Sequence, residues 1–590
     1  MPRAQGHLLV LGCCSRKIES RGSLPAIQLY DGVNFRVLRK FLNERGWPSS
    51  LMVKVLSAKY GLIDGTDIIE PYDQRLTPKE AARKHAAVLR RLGRLGSPAS
   101  VFVNLGKDYR PAVEGIEQVL PRSRITWADG GIGSKMKAMK RWLRSLPVGA
   151  PLLPGRRLGI RPYLYFFPDW DDYVYEPFTA NETDELRRSA ALRRTYAHEV
   201  FGRRTPYDGV LVSLAQLNTS KGALGRNANA EGPTFSLRRE LHLPRRLILF
   251  GDCGAFSYVG EPQPPLTPAE AAELYDRFGF ELGASVDHIP VPEIATRDTS
   301  GQKIRKALSK STQYRRLRLT VDNAQRFLAV CTENAYSFVP IGVIQGIGVS
   351  SYVRCIHDYI DMGYRHIALG GLVPRPDSEI MRILCAVRRA IQEHGRRDTD
   401  GLWLHLFGIL RPRLQPTFRT LGVTSFDSAS YLRKAWLRSD QNYLAPDGNR
   451  WYSTIRIPIA HSKRMRKAAT SNGISQSDLA QREQRCLAAV GSFDGSEGSV
   501  LELLDSVDDY GPLLDRRAED NHFAEKHLAL VTARPWLRCP CPICRRTGIN
   551  VVVFRGANRN KRRGLHNTWV LYHRILHGKS VPVSGGNRLD

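Results

Sequence analysis

The chain has no run of about 18 apolar residues, so no membrane-spanning helix is expected. It opens Met-Pro-Arg-Ala-Gln-Gly-His, without the charged-then-apolar layout of a secretory signal. Cysteine is sparse. Of ten in 590 residues most lie scattered inside apolar segments, as in a reducing compartment, and a cytoplasmic protein is expected. Acidic residues are the other shortage: 57 Asp and Glu stand against 88 Lys and Arg, a formal net charge of +31. A surplus that large favours a polyanionic partner, of which nucleic acid is the usual one, although basicity does not separate DNA from RNA.

The length exceeds one ordinary domain. Residues 1–145 read as a small α/β unit, with buried strands at Leu8–Gly12, Met52–Ser57 and Ser100–Leu105 and helical periodicity at Phe35–Leu42 and Pro78–Leu95. Residues 146–156, rich in proline and glycine, read as a linker. From 157 to 460 strands and helices alternate, which argues for a parallel sheet; the strand count suits a (β/α)₈ barrel, with a doubly wound open sheet as the alternative. Residues 461–535 read as a helical insertion and 536–590 as a metal-binding segment completing the barrel. The basic stretch Gly301–Arg318 follows the strand of Asp287 and reads either as an inserted phosphate-binding loop or as a solvated helix face.

Three aspartates end predicted strands: Asp252 in Leu247-Ile-Leu-Phe-Gly-Asp252, Asp287 in Gly283-Ala-Ser-Val-Asp287 and Asp427 in Val423-Thr-Ser-Phe-Asp427. A parallel barrel places its chemistry at those ends. Two carboxylates there suit substitution at an anomeric carbon, one as nucleophile and one as acid/base. Any one of them alone is more often a helix cap or a turn residue than a catalyst. Near the C-terminus Cys539, Cys541 and Cys544, followed by His566, supply a Cys₃His set, the closed shell of a structural Zn²⁺. The adjacent Cys13 and Cys14 read as core or turn residues, with a reactive thiol site as the alternative.

These pieces together resemble the tRNA-guanine transglycosylase superfamily, zinc-containing (β/α)₈ enzymes that exchange guanine for a 7-deazaguanine. The resemblance covers roughly residues 157–585 and rests on Asp252-Cys-Gly-Ala-Phe256, Gln345-Gly346, Gly370-Gly371-Leu372, His405-Leu-Phe-Gly408, Phe426-Asp427-Ser-Ala-Ser-Tyr431 and the Cys₃His set. It implies that Asp427 is the nucleophile and Asp252 the general acid/base. Asp287, Gln345, Gly346, Gly370, Gly371 and Leu372 then hold the base, and Phe256 and Phe407 sandwich it. Cys253-Gly-Ala255 departs from the family's usual Ser-Gly-Gly.

Cys14-Ser-Arg-Lys17, Leu56-Ser-Ala-Lys-Tyr-Gly61 and Glu70-Pro-Tyr-Asp73 resemble a small domain that travels with DNA-modification proteins, and Phe166–Asp172 resembles the DpdA-like, DNA-acting branch. The implied partners are DNA (alternatively tRNA), a 7-deazaguanine base such as 7-cyano-7-deazaguanine, a helper protein and a second copy of the chain. A non-catalytic nucleic-acid-binding subunit and a water-resolved glycosylase are the competing readings.

Overall fold

A computed structural model describes residues 6–18, 22–147, 163–168, 172–179, 192–217, 235–297, 303–394, 402–437, 440–495, 497–510 and 523–577. Most of the expected linker, and Asp169 to Asp171 of the DNA-branch motif, lie outside the described residues. The chain forms two compact units: Met1–Leu164 with Val212–Leu237 and Leu249–Asp427, and Tyr165–Leu211 with Arg238–Ile248 and Ser428–Asp590.

The N-terminal sheet comprises β1 (His7–Gly12), β2 (Leu51–Ser57), β3 (Gly61–Asp64), β4 (Ser100–Asn104) and β5 (Arg124–Trp127), with helices α1 (Val33–Arg45), α2 (Pro78–Gly93) and α3 (Ile132–Ser145). Its strand order is β3-β2-β1-β4-β5, parallel except for β3. β1 and β4 are buried along nearly their whole lengths, as strands covered on both faces must be. The α2 start is written in Thr-Pro-Lys-Glu: Thr77 caps the Glu80 N–H, Glu80 answers to the Thr77 N–H, and proline takes the first turn. The sequence pattern omitted β3, β5 and α3.

The eight strands that close the barrel are β6 (Leu164–Phe167), β7 (Gly209–Ser213), β8 (Ile248–Asp252), β9 (Leu282–Ala284), β12 (Val339–Ile344), β13 (His366–Leu369), β14 (Trp403–Leu406) and β15 (Ser425–Asp427), in the order β7-β8-β9-β12-β13-β14-β15-β6. The expected (β/α)₈ architecture is therefore present, and the open sheet is excluded. Glycines in the strands admit helix aromatics. A Cβ at Gly251 would meet the Tyr275 ring at 2.2 Å and one at Gly283 would meet it at 2.6 Å, so α4 (Pro268–Arg277) seats one tyrosine against two strands.

The basic segment 303–318 is not a loop; the alternative reading, a solvated helix face, holds from Lys310 onward, where Ser311, Tyr314, Arg315 and Arg318 are exposed. From Lys303 it is strand β11 (Lys303–Ala307), paired antiparallel with β10 (Glu293–Arg297), followed by helix α5 (Lys310–Glu333). Gln313, Arg316 and Leu317 are buried, and Arg316 donates to the carbonyls of Val259, Ile289 and Glu261. The charges masked an ordinary amphipathic helix, because a buried arginine reads as polar until its carbonyl partners are known.

Helices α6 (Val349–Met362), α7 (Asp377–His394) and α8 (Gln415–Leu421) follow β12, β13 and β14. The N-terminal domain contacts the last two: Arg389 meets Asp67 at 2.7 Å, Gln392 donates to the Leu51 carbonyl, and Thr420 bonds Asn43.

In the second unit, α9 (Ser430–Leu437) packs on the C-terminal helix, and α10 (Lys463–Ser471), α11 (Gln476–Asp494), α12 (Val500–Tyr510) and α13 (Phe523–Ala533) form the helical region. Helices α14 (Pro542–Thr547) and α15 (Gly556–Val570) end the described chain apart from one short π-helical turn. Arg563 of α15 is fully buried, and its guanidinium donates to the carbonyls of Val551, Val553 and Ala435. Burial pushes it down to about 9. No described helix is long and apolar enough to cross a membrane.

Candidate active site

Asp252 and Asp427 are the last residues of β8 and β15, and Asp287 lies three residues beyond β9. All three reach the same end of the barrel, close enough for their charges to act on one another. Burial first, then the charges of Asp287 and Asp427, push Asp252 up to about 7, against hydrogen bonds from the Gly254 and Cys253 N–H groups. Burial also raises Asp287, which Cys253 and Gln345 partly counter. A carboxyl poised near neutrality can both give and take a proton.

Asp427 is held from one side. The Gly408 N–H donates to Oδ1 at 2.8 Å, and His405 Nε2 lies 3.3 Å from the same oxygen. Behind His405, Nδ1 is 2.9 Å from Ser425 Oγ, which also accepts from Trp403 Nε1 at 2.8 Å. The indole can only donate. The arrangement that gives every donor an acceptor sends the serine hydrogen to Nδ1 and leaves Nε2–H facing Asp427. Burial lowers the imidazole below its usual range, keeping it neutral. None of this relay beyond the His405 motif was legible in sequence. Ser425 and His405 are two-apart neighbours of site residues on their strands, and only barrel closure pairs them.

Around Asp287, Cys253 donates its thiol to Oδ1 at 2.9 Å and Gln345 Nε2 donates to Oδ2 at 2.6 Å. The Tyr258 hydroxyl donates to the Asp287 carbonyl and lies 3.0 Å from the thiol. The departure at Cys253 thus holds a carboxylate. Gln345 Oε1 is buried and meets no hydrogen-bond donor among the described residues, an acceptor of the kind a ligand N–H satisfies.

Gly346, Gly370 and Gly371 are required by close approach. A Cβ at Gly346 would strike Tyr352 at 2.4 Å, one at Gly370 would strike Gln345 Nε2 at 2.2 Å, and Gly371 has φ +69°. Arg375 ties these loops, donating to the carbonyls of Gly371 and Gly346. Leu372 is fully buried beside them in sequence. Phe407 packs edge-on to His405 and beside Phe250, whereas Phe256 is 67 % exposed with no ring against it among the described residues. The structure brings the carboxylates, Gln345 and the glycines together; it does not bring Phe256 onto Phe407.

Cys539, Cys541, Cys544 and His566 form the expected cluster, all buried. His566 Nδ1 lies 3.5, 3.4 and 3.3 Å from the three sulfurs in turn. Zinc–sulfur bonds of about 2.3 Å and a zinc–nitrogen bond of about 2.0 Å give a tetrahedron with edges of about 3.5 Å, so the donor set fits that ion. His566 Nε2 faces the Leu444 carbonyl at 2.8 Å, which fixes Nδ1 as the ligating atom, and Tyr443 stacks on the ring at 4.2 Å.

Comparison with known proteins fits this geometry. Over 422 residues, 71% of this chain and 97% of the relative, the sequence is 33% identical to a DNA-guanine transglycosylase of Salmonella montevideo. The chain belongs to the DNA-guanine transglycosylase family. Within the wider tRNA-guanine transglycosylase superfamily it is 26% identical to a tRNA-guanine(15) transglycosylase of Thermococcus onnurineus, over 35% of the chain and 32% of that relative. The corresponding enzyme of Pyrococcus furiosus is 24% identical over similar shares. Family membership makes the chain an enzyme, a pentosyltransferase. Residues 8–141 match a family of unknown function, DUF6884.

Proposed function

We propose that this enzyme replaces guanine in DNA with a 7-deazaguanine base, 7-cyano-7-deazaguanine being the expected donor, through a covalent aspartyl–DNA intermediate. The observation that carries the reading is the unequal carboxyl pair in one barrel mouth: Asp427 held through Oδ1 by Gly408 and His405, and Asp252 raised to about 7. A stacked, paired guanine must first leave the helix. The Asp287 carboxylate and Gln345 Oε1 accept from its N–H groups, and Phe407 supplies apolar surface beside it. Asp427 Oδ2, the oxygen not engaged by Gly408 and His405, attacks C1′ as the C1′–N9 bond breaks. Asp252 delivers its proton to N9 of the departing guanine. The incoming base returns a proton from its own N9 to Asp252, and that nitrogen displaces Asp427 from C1′. Two inversions give retention.

His405 positions the nucleophile by directing its Nε2–H at Asp427 Oδ1. The Cys₃His set would hold a Zn²⁺ ion, which in a four-protein-ligand site closes the fold and leaves no position for substrate. The net charge of +31 suits the polyanionic substrate. We place the enzyme in the cytoplasm, since all ten cysteines are unpaired with one another. The likeness to archaeal tRNA enzymes supports tRNA as the second reading.

Incorporation of labelled guanine and 7-cyano-7-deazaguanine into duplex DNA, single-stranded DNA and bulk tRNA tests both readings. Label entering DNA and lost in Asp427→Ala is expected. Label in tRNA alone would overturn the DNA assignment, and an abasic product would overturn the exchange.

A further inference from the structure

The proposed base exchange assigns no step to the N-terminal domain, yet three of its sequence motifs meet at one place. The sheet order β3-β2-β1-β4-β5 reverses direction at β1: the chain goes first to β2 on one side, then to β4 on the other. In open α/β sheets the crevice at the carboxyl ends of strands flanking such a reversal is where ligands bind. The β1 strand runs there into Cys13–Lys17, β2 into Ser57–Tyr60 and β4 into the turn bearing Tyr109.

Side chains from all three converge. Cys13 Sγ lies 3.1 Å from the Tyr109 hydroxyl, across the β1–β4 gap. On the β2 side the Tyr72 hydroxyl is 2.7 Å from Ser57 Oγ and 2.8 Å from the Tyr30 hydroxyl. Lys17 Nζ stands 4.5 Å above the Tyr72 ring, and Lys59 Nζ is 5.9 Å from it on a neighbouring turn. Neither lysine meets a carboxylate among the described residues, whereas Arg36 and Arg39 nearby in sequence are both committed to Asp31. Tyr60, Tyr72 and Tyr109 are each only partly buried. Beyond β5, Gly131 and Gly133 open α3 with no atom within 4 Å of where a Cβ would stand, so packing does not require glycine at either position.

We infer that this crevice is a second binding site and that its ligand is a nucleoside phosphate, either free or as one nucleotide of a strand. Two cations that meet no carboxylate among the described residues select the phosphate. Of the partly buried tyrosines beside them, Tyr60 and Tyr72 lie under the lysines, and Tyr109, over whose ring no cation stands among the described residues, suits a flat base, which stacks without regard to sequence. The hydroxyl network of Tyr30, Ser57 and Tyr72 fixes the ring that both lysines flank.

The test uses the full chain carrying Asp427→Ala, so binding is read without turnover and stands apart from the success or failure of the base-exchange reading. Equilibrium dialysis with labelled ATP and GTP should show one saturable site. Lys17→Ala combined with Lys59→Ala should weaken it at least tenfold at an unchanged melting temperature, and Tyr72→Phe, which keeps the ring, should weaken it less. Competition by a short oligothymidylate would identify a strand as the natural source, and its failure to compete would identify the free nucleotide. The inference is overturned if no nucleotide is retained or if the double variant binds as well as the parent. It is equally overturned if guanine competes, which would place the ligand in the barrel mouth, or if inorganic phosphate competes as well as ATP.

Discussion

The barrel mouth and the Cys₃His cluster are both buried knots of polar side chains, and they are built on opposite terms. In the cluster every donor has its place: three sulfurs and Nδ1 converge on one point, and the remaining ring nitrogen faces a carbonyl. In the mouth three carboxyls crowd together, two of them raised, and a buried amide oxygen meets no donor among the described residues. The difference separates an element that stabilises the fold from one that costs stability in exchange for reactivity. A buried group whose interactions are incomplete is held there by the packing around it and waits for substrate.

Removing the nucleophile should have the largest effect. Asp427→Ala is expected to lower base exchange by about 10⁴-fold or more while leaving nucleic-acid retention in a filter assay intact. Loss of retention as well would mean that the mouth is a binding surface first.

Stripping the metal comes next and acts on the other region. Chelation, or Cys541→Ser, should lower the melting temperature by more than about 10 °C, because metal binding free energy is folding free energy in such sites. An unchanged melt, with metal analysis showing none bound at the start, would erase the contrast between the two clusters.

Asp252→Asn should separate stability from activity. Folded, Asp252 keeps its proton to about 7; unfolded, it keeps it only to about 4. The folded state therefore binds the proton more tightly, and this contribution to stability is full below about pH 4 and lost as pH rises to about 7. At pH 8 the asparagine variant should be more stable than the parent by about 1–2 kcal/mol, a figure discounted for the water that reaches this carboxyl. At pH 3 the gain should vanish. Exchange should be abolished throughout, and the parent's kcat/KM should titrate near pH 7. A variant less stable at pH 8 would contradict the strained-mouth account.

The smallest effect is expected behind His405. Ser425→Ala removes the acceptor and donor that set the imidazole tautomer and should lower kcat about tenfold with KM nearly unchanged. Ser425→Thr, which restores the hydroxyl, should recover most of it. Loss in KM alone would assign the serine to packing.

Much of this organisation was written along the chain. Most barrel strands are short apolar runs with a glycine or polar residue at or just past the end, and a run of that kind is legible without knowing its neighbours. Asp252, Asp427, Gln345 and the paired glycines were legible through their motifs, and the Cys₃His set through spacing. The helix α5 was misjudged in its first turns because Arg316 looked like surface, and β3 and β5 went unseen because each is only four residues long, too short to show a period; α3 does carry an apolar face, Met139, Trp142 and Leu143, set among lysines and arginines. The pairing of Cys253 with Asp287, and of Trp403 through Ser425 and His405 to Asp427, joins residues on different strands.

By itself, the sequence determined the residue types available and the local elements, because hydrophobic periodicity, caps and turn residues act over a few positions. Only the tertiary structure decided which polar groups face one another. Closing the barrel brings the strand ends together and shields their carboxyls from most of the solvent, and the shift of Asp252 to about 7 arises from that burial and that proximity.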